Sequence, residues 1–199
     1  MQIVIGNVLS TEELRRVRAA LARARFVDGA ATAGFAARLV KNNRQAEASD
    51  RSLGTIRKLV AERVLANEVF RLAVRPKALS PLLFSRYQKG MRYGSHVDDA
   101  LMDGMRTDVS FTLFLSAPES YDGGELVIES AAGEDAFKLG PGSVLTYPST
   151  TLHRVAPVTR GQRLAAVGWV RSYIRDPAHR ELLFELETAR RRLFERELA

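Results

Sequence analysis

The sequence predicts a mainly β protein with flanking helices, in the α+β class, whose core of short strands suits a double-sheet jelly roll or a small barrel. Short β-rich segments alternate with Gly, Pro and Asp between Ala78 and Ser172. Before and after this region, apolar residues recur at helical spacing. The chain has 199 residues, which suits one domain with small helical additions.

We predict three parts: an N-terminal helical support region (1–77), a strand-rich core (78–172) and a C-terminal helical extension (173–199). In the first part, Ile3 to Val8 is compatible with a short strand. Ser10 followed by Glu13 forms a capping box, which predicts a helix to about Arg25. A second helical pattern covers about residues 50–69, so residues 1–75 are expected to be mostly helical.

Eight strands are predicted in the core, each a short run rich in β-branched or aromatic residues and bounded by turn residues. They are Pro81–Gln88, Tyr93–Asp98, Thr107–Leu115, Gly124–Glu129, Asp135–Leu139, Ser143–Tyr147, Thr151–Ala156 and Arg163–Arg171.

Composition excludes several classes of function. The chain has no cysteine, which rules out disulfides, zinc fingers, iron–sulfur clusters and thiol nucleophiles. No apolar run is long enough to span a bilayer, and the N-terminus lacks a basic segment ahead of its apolar stretch, so a cytoplasmic protein is expected. The net charge of +7 is compatible with an anionic partner. The Arg residues are nevertheless mixed with Glu, so we favour a solvated basic surface and expect no nucleic acid partner.

Two histidines and one aspartate form the candidate metal site. His96 and Asp98 lie two residues apart in a predicted strand, so both side chains point to one face. His153, in the seventh predicted strand, supplies a second imidazole. A two-His, one-carboxylate set suits non-haem Fe(II) because it leaves coordination positions open. The alternative is that these are hydrogen-bonded core histidines and a turn aspartate.

Arg163 is the candidate anchor for a 2-oxo acid, since its planar guanidinium stays charged and can hold a carboxylate with two hydrogen bonds. A tight hairpin at Arg160–Gly161 would put His153 and Arg163 on opposite faces of one sheet. If the seventh and eighth strands instead belong to different sheets, the two side chains can face each other. The site and the jelly roll are therefore predicted together.

Several short segments carry a family likeness, and they cover nearly the whole chain. They are Arg86–Met91, Tyr93–Asp98, Arg106–Ser110, Tyr121–Leu126, Tyr147–Ser149, Leu152–Val155 and Val158–Arg163, with Trp169, Ile174–Asp176, Thr32–Gly34 and Lys41–Asn43. Together they resemble the PKHD-type hydroxylases, which are Fe(II)/2-oxoglutarate-dependent dioxygenases related to the prolyl 4-hydroxylases.

The resemblance implies that residues 78–172 form a double-stranded β-helix core of the jelly-roll or cupin-like type. It also implies that His96, Asp98 and His153 bind one Fe²⁺ per subunit. It implies that Arg163 anchors 2-oxoglutarate and that Tyr87 is a further contact to this co-substrate. The implied reaction is hydroxylation of an unidentified peptide or small molecule by O₂. 2-Oxoglutarate is decarboxylated to succinate and CO₂, and L-ascorbate (vitamin C) keeps the iron ferrous.

Two other functions stay open at this point. One is a non-catalytic regulatory jelly-roll protein that binds a metal and a 2-oxo acid and is linked to iron uptake. The other is a nucleic-acid-directed dioxygenase, which is supported only by the positive net charge of the chain. Substrate recognition is expected at the loops Asp99–Arg106 and Pro118–Asp122. The apolar stripe of the last predicted helix is compatible with a homo-oligomer.

Overall fold

The computed structural model describes residues 1–197. For residues 35, 36 and 197 it describes the backbone only. The helices of the described chain are α1 Thr11–Arg23, α2 Phe35–Arg38, α3 Gly54–Ala66, α4 Glu68–Val74 and α5 Pro177–Glu197. None of its helices is long and apolar enough to cross a membrane.

The predicted capping box is confirmed at the start of α1. The Glu13 amide donates to Ser10 Oγ at 3.3 Å, and the Ser10 amide donates to Glu13 Oε2 at 3.0 Å. The second predicted helix is divided in two by Asn67, whose backbone is extended. Asn67 Oδ1 accepts from the Phe70 amide at 3.0 Å, so this side chain caps α4 instead of continuing α3.

The strands of the first half are β1 Ile3–Ile5, β2 Phe26–Asp28, β3 Lys41–Asn42, β4 Arg44–Ala46, β5 Pro76–Leu79, β6 Leu83–Gln88 and β7 Arg92–His96. Those of the second half are β8 Leu101–Met102, β9 Met105–Arg106, β10 Val109–Phe114, β11 Tyr121–Gly123, β12 Leu126–Ser130, β13 Gly133–Phe137, β14 Val144–Pro148, β15 His153–Val155 and β16 Val158–Ser172.

Two antiparallel sheets form the core. The large sheet has the order β1-β14-β10-β16-β6-β4-β2, with β5 and β11 also pairing with β16. The small sheet has the order β13-β12-β15-β7-β3, and β8 pairs only with β9 among the described strands. The eight predicted strands correspond to β6, β7, β10 and β12 to β16. The prediction of a mainly β fold with a jelly-roll core and flanking helices is thereby confirmed.

The segment between α1 and α3 differs from the mostly helical expectation. Its strands β2, β3 and β4 extend both sheets, with β4 beside β6 and β3 beside β7. They are two or three residues long and carry too little alternation to be recognised in the sequence. The division at residue 77 stays a prediction, while pairing across it joins the first part to the core.

The large sheet presents different chemistry on its two faces, as β10 illustrates. Val109, Phe111 and Leu113 pack in a hydrophobic cluster with residues of α1, α3 and α4. The alternate residues Ser110 and Thr112 face the space between the two sheets, since successive strand side chains point to opposite sides. Helices therefore cover one face of the large sheet, and the other face is left for the site.

Candidate active site

His96, Asp98 and His153 come together between the sheets. His96 ends β7 and His153 begins β15, and the two residues are direct partners in the small sheet. Asp98 follows β7 by two residues. One ligand atom from each of the three side chains lies within 4.8 Å of the others. Both imidazoles are buried, and the Asp98 side chain is 8% exposed.

Main-chain carbonyls orient the two imidazole rings. Nδ1 of His96 donates to the Gly94 carbonyl at 2.8 Å, and Nδ1 of His153 donates to the Thr151 carbonyl at 2.9 Å. With the proton on Nδ1, each ring directs the lone pair of Nε2 toward the cluster. The Nε2 atoms lie 4.0 and 3.8 Å from the Asp98 carboxylate oxygens, which is too long for hydrogen bonds.

Ser110, on β10 of the opposite sheet, holds the Asp98 carboxylate. Its hydroxyl donates to Asp98 Oδ2 at 2.5 Å and lies 2.9 Å from the hydroxyl of Ser149. Sequence reasoning included both serines in family-like segments but gave them no role. This contact crosses from one sheet to the other, so strand periodicity alone cannot reveal it.

Burial also sets the protonation state of His96. Desolvation and the adjacent His153 lower the pKa of His96 to about 4, against the opposing effects of the Gly94 carbonyl and Asp98. Tyr93 stacks on the His96 ring with centroids 3.6 Å apart. Burial and the Asp98 carboxylate raise the pKa of Tyr147 well above its usual value. At neutral pH His96 is therefore the uncharged ligand form of imidazole.

The donor set fits ferrous iron. Two neutral imidazole nitrogens and one carboxylate are the ligands of the facial sites that hold non-haem Fe(II), which keep open positions for a chelating acid and O₂. The three side chains meet around a shared space instead of bonding to one another.

Arg163 is a buried cation without a counter-charge among the described residues. The residue is 2% exposed, its Nε has no hydrogen-bond partner, and no described carboxylate lies within 4.0 Å. The guanidinium carbon lies 5.3 Å from the Tyr87 ring centroid and 5.4 Å from that of Phe114. Because an unpaired buried charge is costly, this position suits the carboxylate of a ligand.

The structure has no hairpin at Arg160–Gly161, so His153 and Arg163 are not forced onto opposite faces of one sheet. Strand β16 runs through these two residues without a hairpin, with Gly161 at φ +73°. His153 lies in the small sheet on β15, and Arg163 lies in the large sheet on β16. The two side chains line the same cavity, as the jelly-roll alternative predicted.

The candidate metal cluster and Arg163 line one cavity between the two sheets. Its walls include the candidate metal cluster, Tyr87, Arg163 and Trp169, and the loop 99–106 contributes Asp99 and Met102. No residue of the second predicted loop, 118–122, lines it in the described structure. One wall of the cavity comes from a segment that was not predicted to reach the site. Its residues are Thr32, Ala33, Gly34, Ala37, Lys41, Asn43 and Gln45.

A two-sheet β-helix that encloses a His-Asp-His cluster and a buried arginine defines the class of 2-oxoglutarate- and Fe(II)-dependent oxygenases. The family model described as "2OG-Fe(II) oxygenase superfamily" matches residues 82–171.

The sequence relatives identify the particular family. A PKHD-type hydroxylase of Synechococcus sp. (strain JA-2-3B'a(2-13)) is 54% identical over 199 residues, covering 98% of this chain and 89% of the relative. A PKHD-type hydroxylase of Acaryochloris marina is 53% identical over 194 residues, with the same coverage. The chain belongs to the PKHD-type hydroxylase family, which confirms the resemblance and makes the protein an oxygenase of this class.

Solved structures with the same fold are more distant in sequence. A Pseudomonas putida prolyl-4-hydroxylase superposes with a TM-score of 0.60 at 21% identity, covering 86% of this chain and 92% of that one. HygX from Streptomyces hygroscopicus, with nickel and 2-oxoglutarate bound, gives a TM-score of 0.63 at 18% identity, with 87% and 84% covered. These matches establish the shared fold.

Proposed function

We propose that this protein hydroxylates its substrate with Fe(II) held by His96, Asp98 and His153 and with 2-oxoglutarate anchored by Arg163 and Tyr87. One observation carries the proposal. Two Nε2 lone pairs and a carboxylate converge in a cavity whose other end holds a buried arginine without a described counter-charge. Bound iron supplies the redox chemistry that couples O₂ reduction to oxidative decarboxylation of 2-oxoglutarate and hydroxylation of a C–H bond.

The chain's own residues position and shield the reactants. Ser110 fixes the orientation of the Asp98 carboxylate, so that this side chain is set before metal binds. Arg163 neutralises the far carboxylate of 2-oxoglutarate, and this leaves the 2-oxo acid end free to chelate the metal. Apolar residues such as Leu126, Val155 and Val167 line the same cavity and limit water near the reacting atoms.

Substrate, reductant, oligomeric state and cellular location are further parts of the proposal. We place the peptide or small-molecule substrate next to the loop 99–106, because Asp99 and Met102 of this loop line the cavity. L-Ascorbate, implied by the family likeness, restores ferrous iron after turnover without substrate. Exposed Leu182, Leu186 and Leu193 on α5 support a homo-oligomer. We place the protein in the cytoplasm on the sequence grounds given above.

Succinate production tests the reaction. Wild-type protein loaded anaerobically with Fe(II) is mixed with 2-oxoglutarate and O₂, and succinate is quantified together with bound iron. We expect succinate from wild type, and background succinate with loss of iron from Asp98→Ala. The matched control is Asp135→Ala, which removes an exposed carboxylate from the same small sheet and should change neither quantity.

Two outcomes would overturn the proposal. Tight, stoichiometric iron binding by Asp98→Ala would remove Asp98 from the ligand set. Wild-type protein that binds Fe(II) and 2-oxoglutarate but forms no succinate would point instead to the regulatory binding protein linked to iron uptake. No observation on the molecule favours that alternative at present.

A further inference from the structure

Asn43 is a buried amide whose hydrogen-bonding groups have no partner in the described structure. The residue is 3% exposed, and neither Nδ2 nor Oδ1 makes a hydrogen bond. It lines the cavity that contains the candidate metal cluster. Buried polar side chains are nearly always hydrogen-bonded, so an amide left unpaired at a cavity wall points to a ligand.

Strand register places Asn43 in one row with Tyr87 and Arg163. Asn43 lies between β3 and β4, and β4 pairs with β6 through Arg44 opposite Arg86 and Gln45 opposite Ser85. One step further along this register, Asn43 comes opposite Tyr87. Tyr87 is in turn the partner of Arg163 on β16. Residues in register on neighbouring strands share a face, so the three side chains form a polar row across the large sheet.

The electrostatics of Tyr87 agree with this arrangement. Burial raises the pKa of its hydroxyl, and two groups act against that rise: the Arg163 charge and the Asn43 side chain, which lies close to the hydroxyl without a hydrogen bond of normal geometry. The register of β4, β6 and β16 puts the amide and the guanidinium on either side of this phenol.

The backbone of Gly29 packs against the side-chain amide of Asn43. The Gly29 amide donates to the Asn43 carbonyl at 3.0 Å. A Cβ added at Gly29 would come within 1.8 Å of Asn43 Oδ1. The backbone of residue 29 thus packs directly on the side-chain amide, which fits only because Gly has no side chain.

We propose that Asn43 is a 2-oxoglutarate-binding residue, whose Nδ2 donates a hydrogen bond to the far carboxylate of the co-substrate beside Tyr87 and Arg163. The inference rests on the proposed function and adds a residue from outside the 78–172 core to its co-substrate site. A carboxylate accepts several hydrogen bonds. A neutral amide donor can therefore bind the same carboxylate in addition to the guanidinium.

The test compares Asn43→Ala with Asn42→Ala by direct binding. Asn42 is the adjacent, exposed residue at the end of β3 and serves as the matched control. Calorimetric titration of 2-oxoglutarate into the Mn(II)-loaded protein, which does not turn over, gives the affinity. We expect Asn43→Ala to weaken 2-oxoglutarate binding about tenfold, as for loss of one charge-assisted hydrogen bond, and Asn42→Ala to leave it unchanged. Mn(II) affinity should stay within twofold in both variants.

A second variant guards against a purely structural effect. Asn43→Asp keeps the size of the side chain but sets a negative charge against the ligand carboxylate, so we expect weaker binding than in Asn43→Ala. In the Fe(II) enzyme the KM for 2-oxoglutarate should rise in the same order, with little change in kcat.

Wild-type affinity in Asn43→Ala, or equal losses in the Asn42 and Asn43 variants, would overturn the assignment. Should Asn43→Ala fail to fold, the Asn43→Asp result decides, and unchanged affinity there would reject the role. Absence of 2-oxoglutarate binding by wild type would instead reject the proposed function itself.

Discussion

Arg163 is the residue on which the proposed 2-oxoglutarate site depends most. Its guanidinium lies within 5.4 Å of the ring centroids of Tyr87 and Phe114, shielded from water and without a described carboxylate beside it. Close backbone packing shapes the position, since a Cβ on Gly124 would lie 3.2 Å from Arg163 Cδ. A charge kept in this state is compensated when an anion binds.

Arg163→Met should raise the 2-oxoglutarate requirement by about a hundredfold, because a buried charge-assisted pair is lost while the bulk of the side chain is kept. Fe(II) affinity should change less than threefold, since Arg163 is outside the proposed ligand set. Succinate formation against 2-oxoglutarate concentration gives the first quantity, and equilibrium dialysis of iron gives the second. The control is Arg160→Met, an exposed residue paired with Asp122. Equal effects at Arg160 and Arg163 would refute the anchor role.

Lys41 is a second cation of the cavity, and its chemistry depends on pH. Its Nζ donates to Thr32 Oγ1 at 3.0 Å and lies 5.1 Å from the Tyr93 ring centroid. Burial lowers the pKa of Lys41 to about 8, and Asp98 and Asp28 oppose this only partly. The unprotonated amine therefore accumulates near pH 8, well below the usual range for lysine.

We expect the acylation rate of Lys41 in the metal-free protein to rise with a midpoint near pH 8. Only the unprotonated amine reacts, so a lowered pKa moves the reactive form to lower pH. Peptide mass spectrometry after brief acetylation across a pH series measures this rate residue by residue. A midpoint near 10.5, the ordinary value for lysine, would disprove the predicted environment.

At the scale of elements, β16 joins the site to the rest of the fold. It runs from Val158 to Ser172 and contacts β10, β6, β5 and β11. Gly161 allows it to pass Ser120, because φ is +73° and a Cβ would come within 2.2 Å of the Ser120 carbonyl oxygen. Only glycine meets both requirements without a shift of the backbone.

Gly161→Ala should lower the free energy of unfolding by about 1–3 kcal/mol, the usual cost of a strained backbone conformation, and more if β11 moves. Gly140→Ala is the matched control, since nothing lies within 4 Å of its added Cβ and its φ is outside the left-handed region. Urea unfolding of both variants gives the difference. Equal midpoints would show that β16 tolerates a side chain at residue 161.

Most core strands could be predicted because they have five or more residues and are bounded by turn residues, while β15, with three residues, is the exception. The His-Asp-His cluster could be predicted because its residue types and the family-like segments agree. The cavity wall of residues 32–45 could not, since strands of two or three residues acquire their position from pairing with β6 and β7. For the same reason the contact of Ser110 with Asp98 and the position of Asn43 in the cavity become visible only when distant segments are brought together.

At the scale of the whole molecule, one face of the large sheet packs against helices and the other face lines the candidate site. Helices α1, α3 and α4 contribute to the larger hydrophobic cluster, with members such as Val17, Val60 and Phe70. A smaller cluster that includes Tyr87, Leu145 and Tyr147 lies next to the candidate site. The site is therefore built within a packed scaffold and needs little rearrangement before ligands bind.

Ligand binding should accordingly stabilise the whole fold. Mn(II) and 2-oxoglutarate together, each at about a hundred times its Kd, should add more to the free energy of unfolding than Mn(II) alone, which contributes about 2.7 kcal/mol by mass action. Thermal unfolding with and without each ligand, followed by circular dichroism, measures the gain. Asp98→Ala should show no Mn(II)-dependent rise in Tm. An equal rise in that variant would place the metal elsewhere.

The most direct test of the central claim is an anaerobic crystal structure of the wild-type protein with Mn(II) and 2-oxoglutarate. The account predicts one ion bound by Nε2 of His96, Nε2 of His153 and the Asp98 carboxylate, with the far carboxylate of 2-oxoglutarate on Arg163. An ion bound outside this cluster, or 2-oxoglutarate bound away from Arg163, would contradict it.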